Sequence, residues 1–156
     1  MKRLIILATI FISALTCCAQ EYKIYKGRST SVFDIRYTIK KDGEAYKIYK
    51  GRSTSTFDTK YTVEKDDANY KIYKGRSTFS SDLRYKIKKT DRGYNIYDED
   101  NDLIYRIEST NNGYKVYDDD WSQDEVYTVV TTSDGYNVHT GRSTSVFDIK
   151  YTIKKE

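Results

Sequence analysis

At 156 residues the chain suits one domain and is too short for two cores of ordinary size. Past residue 20 it carries 25 Lys and Arg against 23 Asp and Glu, a balance too near neutral for nucleic acid, which wants a concentrated basic face. Both cysteines, Cys17 and Cys18, precede that point, so the remainder holds no disulfide, thiolate metal ligand or cysteine nucleophile.

Residues 1–20 read as a secretory signal: Lys2 and Arg3 make a basic start, residues 4–15 are apolar, and small residues follow. The apolar run is shorter than the ~20 residues a bilayer-spanning helix needs. The segment is therefore expected to be a targeting device outside the fold, sending the protein to the periplasm, the outer membrane or the medium. Two endings compete. Cleavage after Ala19 releases a soluble chain beginning at Gln20. Alternatively, Leu15-Thr16-Cys17-Cys18 resembles a lipoprotein lipobox, with Cys18 taking a lipid anchor that tethers the protein to a membrane. Cys17 stands there in place of the usual Gly, Ala or Ser.

Residues 21–156 are predicted to form a single domain of six hairpin repeats, starting at Tyr22, Tyr46, Tyr70, Tyr94, Tyr114 and Tyr136. Repeat one reads YKIYKGRSTSVFDIRYTIKKDGEA, and repeats two and three follow it closely. Repeats four and five keep the strands but exchange the Gly-Arg-Ser-Thr loop for acidic ones, and repeat six restores it. Apolar residues recur with period two, the strand period: Phe33, Ile35, Tyr37 and Ile39 fall on one face, Asp34, Arg36, Thr38 and Lys40 on the other. Asp42-Gly43, Asp91-Arg92-Gly93, Asn111-Asn112-Gly113 and Ser133-Asp134-Gly135 mark tight turns between repeats, with Asn69 expected to serve in the one that has no glycine.

One hairpin cannot cover its own apolar face, so the copies must share one. Residues 141–155 match residues 27–41 except for Lys150 in place of Arg36, so both ends look like standard units rather than polar caps. The fold class expected is all-β, tandem antiparallel hairpins closed into a shallow barrel or flower-like ring, which also removes exposed edges.

The tandem Tyr-x-Ile-Tyr strand, Gly-Arg-Ser-Thr-Ser loop and Tyr-Thr-Ile strand resemble those of the β-flower proteins, whose hairpins radiate as petals about a shared centre. The resemblance covers residues 22–156 and implies the fold. It brings no established activity, and its likeness to tubby-like lipid-binding domains is one of barrel shape alone.

Among candidate sites, Arg28, Arg52, Arg76 and Arg142 repeat at the four glycine loops, where guanidinium groups beside Ser and Thr hydroxyls suit phosphate or sulfate oxygens. Residues 21–93 carry 19 basic against 10 acidic residues and residues 94–135 carry 2 against 11, so a ring has a basic and an acidic arc capable of self-association. Asp98, Asp100 and Asp102 imitate the start of a calcium loop, but Leu103 and Ser109 stand where its Gly and Glu belong, so no metal site is assigned. His139 replaces the tyrosine found at Tyr25, Tyr49, Tyr73, Tyr97 and Tyr117, and a lone histidine without an evident Ser and Asp gives no catalytic set. Trp121, unique in the chain, is a candidate anchor for a partner. Tyr25 and its equivalents are expected to be exposed and capable of stacking on sugars.

The function expected is a non-enzymatic binding or structural module of the cell envelope, with no cofactor. Its partner is an anionic lipid headgroup or glycan met by the arginine loops, or a second copy of itself.

Overall fold

The computed structural model describes Ala8 and residues 21–118 and 124–156. Cys18 and Trp121 lie outside the described residues. The described residues form twelve strands: β1 (Glu21–Lys26), β2 (Ile35–Asp42), β3 (Ala45–Lys50), β4 (Thr59–Asp66), β5 (Asn69–Lys74), β6 (Leu83–Lys89), β7 (Gly93–Asp98), β8 (Leu103–Thr110), β9 (Gly113–Asp118), β10 (Glu125–Thr132), β11 (Gly135–Thr140) and β12 (Ile149–Lys155). Each pairs antiparallel with its sequence neighbours, and β12 pairs with β1, so the six hairpins close into a barrel. The all-β ring read from the matching ends is the fold found.

Every strand sends one Tyr and, two residues later, one Ile or Val to the interior. Within a hairpin the register sets Tyr22 opposite Ile39 and Ile24 opposite Tyr37; between hairpins it sets Ile39 opposite Ile48. The aliphatic residues thus form one belt, in which Ile24, Ile39, Ile72, Ile87, Ile96, Val116 and Ile153 are wholly buried. Each contributes about 1.5–3 kcal/mol by leaving water. Because successive strands run in opposite directions, the tyrosines divide into two girdles, one at each end of the barrel.

At the end that carries the tight turns, the ring hydroxyls crowd one another. Tyr114 and Tyr136 have ring centroids 6.2 Å apart. Burial, then the neighbouring Tyr114 and Tyr22, pushes the Tyr136 hydroxyl up to about 12. Burial likewise raises Tyr70 and Tyr94, with Tyr46 adding to the first and Tyr70 and Tyr114 to the second.

A twelve-strand barrel is wider than an eight-strand one, whose side chains alone fill the interior. Ala8, the described residue of the apolar run 4–15, is helical, 1% exposed and packed in the same core cluster as the aliphatic belt. Outward positions such as Lys23, Lys40, Lys47 and Lys71 are charged, the reverse of a barrel wall that faces lipid.

Three sequence expectations are corrected. Phe33 does not continue the inner face of β2, because it sits in the 3-10 turn Val32–Asp34, where the Asp34 N–H donates to the Ser31 carbonyl at 2.9 Å. Tyr25, Tyr49 and Tyr73 point outward yet are only 5–7% exposed, and they form no open row for sugars. In the turn lacking glycine the positive φ falls at Asp67 (55°), not at Asn69.

Candidate functional site

All six long loops join an odd strand to the next even strand and so leave the barrel at one rim; the tight turns occupy the other. Closure decides which loops are neighbours. Along the chain the fourth glycine loop is separated from the other three by the two acidic ones, but around the ring it lies beside the first. The loops of repeats six, one, two and three form one continuous basic arc.

Each of these loops is built by the same local rules. Its glycine takes a left-handed φ, 65° at Gly27 and 63° at Gly141, which a side chain would oppose. The first serine then braces the loop: Ser29, Ser53, Ser77 and Ser143 Oγ accept backbone N–H groups at 3.0–3.1 Å. Ser53 and Ser143 also donate to Asp58 and Asp148, at 2.5 and 2.6 Å. Ser31, Ser55 and Ser145 cap the 3-10 turns that follow. These serines are committed to loop structure and do not stand beside the arginines as a set of ligand donors.

The arginines themselves are exposed. Arg28 lies with its guanidinium carbon 5.6 Å from the Phe147 ring centroid, across the junction of the last and first repeats, and Arg76 sits 5.7 Å from Phe57 in the preceding loop. The loops therefore touch in two pairs, that of repeat six with that of repeat one and that of repeat two with that of repeat three.

Sequence reasoning missed a second set of cations beneath them. A cleft of about 380 Å³ between repeats six and one is lined by Lys26, Gly27, Arg36, Tyr37, Ile149, Lys150 and Tyr151. Its counterpart between repeats one and two, about 190 Å³, is lined by Ile35, Arg36, Tyr37, Lys50, Gly51 and Lys60. Each cleft has three cations and no carboxylate in its lining. The signal was present in the repeat: a basic residue closes the odd strand (Lys26, Lys50, Lys74) and another stands second in the even strand (Arg36, Lys60, Arg84, Lys150). On the acidic arc the same two places hold Asp98 and Asp118, and Ile104 and Val126.

Along the basic arc this rim carries eleven cations (Lys26, Arg28, Arg36, Lys50, Arg52, Lys60, Lys74, Arg76, Arg84, Arg142 and Lys150) against four carboxylates (Asp34, Asp58, Asp82 and Asp148). Two of those carboxylates already accept serine hydroxyls. Such a field attracts polyanions and raises their local concentration.

The remaining candidates lie elsewhere. His139 is 3% exposed, and its Nδ1 stands 2.9 Å from the Ser145 carbonyl, to which it donates, pinning the loop over β11. Asp98 Oδ1 accepts the N–H groups of Asp100 and Asp102 at 3.0 and 2.9 Å, so this acidic loop is folded around its first carboxylate. Among the described residues no three His, Cys, Asp or Glu side chains gather as a metal site.

No family model matches the chain, and no curated protein matches it. A solved structure of a protein from Arabidopsis thaliana shares the fold with a TM-score of 0.56 at 16% identity, over 86% of this chain and 85% of that one.

Proposed function

We propose that the protein is a non-catalytic binding module that recognises an anionic surface or polymer through the basic arc of its rim. One observation carries this reading: closure of the ring sets four Gly-Arg-Ser-Thr loops side by side above clefts lined by three cations each. Phosphate and sulfate groups suit both layers, with the arginines above offering planar forks and the lysines below point charges. An address in the cell envelope, by export or by an anchor on Cys18, supplies such ligands in lipid headgroups and anionic polysaccharides. The hairpins themselves are read as the petals of a β-flower.

Replacing Arg28, Arg52, Arg76 and Arg142 together with Ser should weaken binding to a soluble sulfated polysaccharide by about a hundredfold to a thousandfold, since four cations each contribute up to ~1 kcal/mol near an anionic surface. Binding that is unchanged, or absent in the parent protein, rejects the reading.

The second reading is self-association, favoured by the acidic arc on the same rim. Two barrels meeting rim to rim can set the basic arc of each against the acidic arc of the other. Sedimentation of the protein alone separates the two, because paired arcs give an oligomer at low salt that dissociates as salt rises, whereas an anion-binding module is a monomer at both.

A further inference from the structure

After residue 20 the chain has four phenylalanines, and all four stand exposed at the rim instead of in the core. Phe33 and Phe57 are each 89% exposed, Phe147 83% and Phe79 76%. Val32 and Val146, which precede two of them, are 50% and 53% exposed. A core of Tyr, Ile and Val was available to bury these rings, so water-exposed Phe at four loop tips calls for a partner. In repeat three the phenylalanine has moved two places, to the position that Ser31 holds in repeat one, and its ring still projects from the loop.

We propose that the partner of the basic arc is an anionic bilayer, and that these four rings are the groups that enter it. The proposal rests on the anion-binding reading and names its ligand. Three features favour a lipid surface over other polyanions. Neighbouring loops are two strands apart, roughly 10 Å, so four of them span several headgroups instead of enclosing one. Aliphatic Val32 and Val146 gain nothing by stacking on a sugar but do gain by entering hydrocarbon. The rings are also separate points set among cations; a fluid interface accepts these without matching hollows, whereas a protein partner must provide a pocket for each. The charges then draw the rim to the surface while Phe, with no polar atom to keep wet, passes the headgroups.

The test compares the parent protein with a variant in which Phe33, Phe57, Phe79 and Phe147 are all changed to Ser. Both are floated with phosphatidylcholine vesicles with or without phosphatidylglycerol, and titrated with a soluble sulfated polysaccharide that has no hydrocarbon. Because the rings are solvent-exposed, the variant should keep the parent's circular dichroism spectrum. The expected result is vesicle binding that requires phosphatidylglycerol and falls at least about tenfold in the variant, with polysaccharide binding unchanged. A Phe147→Trp protein in which Trp121 is also changed to Phe should show a blue-shifted emission quenched by brominated lipid. If parent and variant float equally while both bind polysaccharide, insertion is wrong and the anion reading stands. If neither ligand binds the parent, both fall. If the parent sediments as an oligomer without vesicles and the variant as a monomer, the rings meet a second copy and the lipid proposal is overturned.

Discussion

At the seams that precede repeats six, one, two and three, neighbouring hairpins are joined on the outer face by a hydroxyl. Thr38, Thr62, Thr128 and Thr152 each donate to the carbonyl of the next loop's glycine, at Gly51, Gly75, Gly141 and Gly27, over 2.7–2.8 Å. Where the next loop is acidic that glycine is missing, and the threonine is missing too. Lys86 takes its place before repeat four and donates to Asn101 at 2.6 Å; Arg106 takes it before repeat five and lies 4.7 Å from the Tyr117 ring centroid. The inner face ignores this distinction, carrying the same Tyr and Ile or Val layers all the way round. The barrel is thus specified from within, while its loops and the side chains that fasten them vary as sets.

The tight turns divide in a similar way, and there the contrast can be broken most severely. β3 and β5 open on Ala45 and Asn69, whereas β7, β9 and β11 open on glycine. A Cβ on Gly113 would fall 1.9 Å from the Val129 carbonyl oxygen, and backbone cannot yield as a flexible side chain does. Gly113→Ala should therefore push β9 from β10 and cost about 3 kcal/mol, lowering the thermal midpoint by roughly 10 °C. Ala45→Gly, the reverse exchange at the equivalent place, should cost only about 1 kcal/mol through added chain entropy. Thermal unfolding followed by circular dichroism checks both, and equal losses would mean that the two turn types are interchangeable.

Much of this architecture was legible in the sequence because a period of two, copied six times, leaves few alternatives, and the match of residues 27–41 with residues 141–155 at all positions but one points to closure. What escaped was the outer face. Phe33 keeps the alternation of Ile35 and Tyr37 by coincidence, while Ser31 capping the turn makes the chain leave the sheet there. Parity puts Tyr25 on the outer side of β1, where it lies, but carries no information about how far neighbouring groups cover that side. Arg28, Arg52, Arg76 and Arg142 were found by their repetition. Lys26, Arg36 and Lys150 were overlooked because they sit inside strands, and only the closed ring brings strands from the two ends of the chain to one cleft.

The seams offer a smaller test. Thr152→Val removes the hydroxyl that ties the last hairpin to the first while keeping the shape, and should cost about 1 kcal/mol, as should Thr38→Val within the chain. Arg106→Thr should not regain that bond, since repeat five has no glycine carbonyl to accept it, and should lose the stacking on Tyr117. Denaturant midpoints measure all three. A far larger loss at Thr152 than at Thr38 would show that the junction of the chain ends is a weak seam and not one of four equivalent ones.

The smallest effect is expected at the rim, and it decides how any binding defect is read. Arg28 and Phe147 are both exposed, and a cation stacked on a ring in water contributes about 0.5–1 kcal/mol. Arg28→Ser and Phe147→Ser should each move the urea midpoint slightly with the slope unchanged, and the double variant should lose less than the sum because the second change finds the stack already gone. A stack that did hold the ring closed would give a different pattern: either single change would free the seam between β12 and β1, and the unfolding slope would alter with it. Near-neutral stability here, set against the large cost at Gly113, would separate a barrel sustained by its interior from loops left free to meet a ligand.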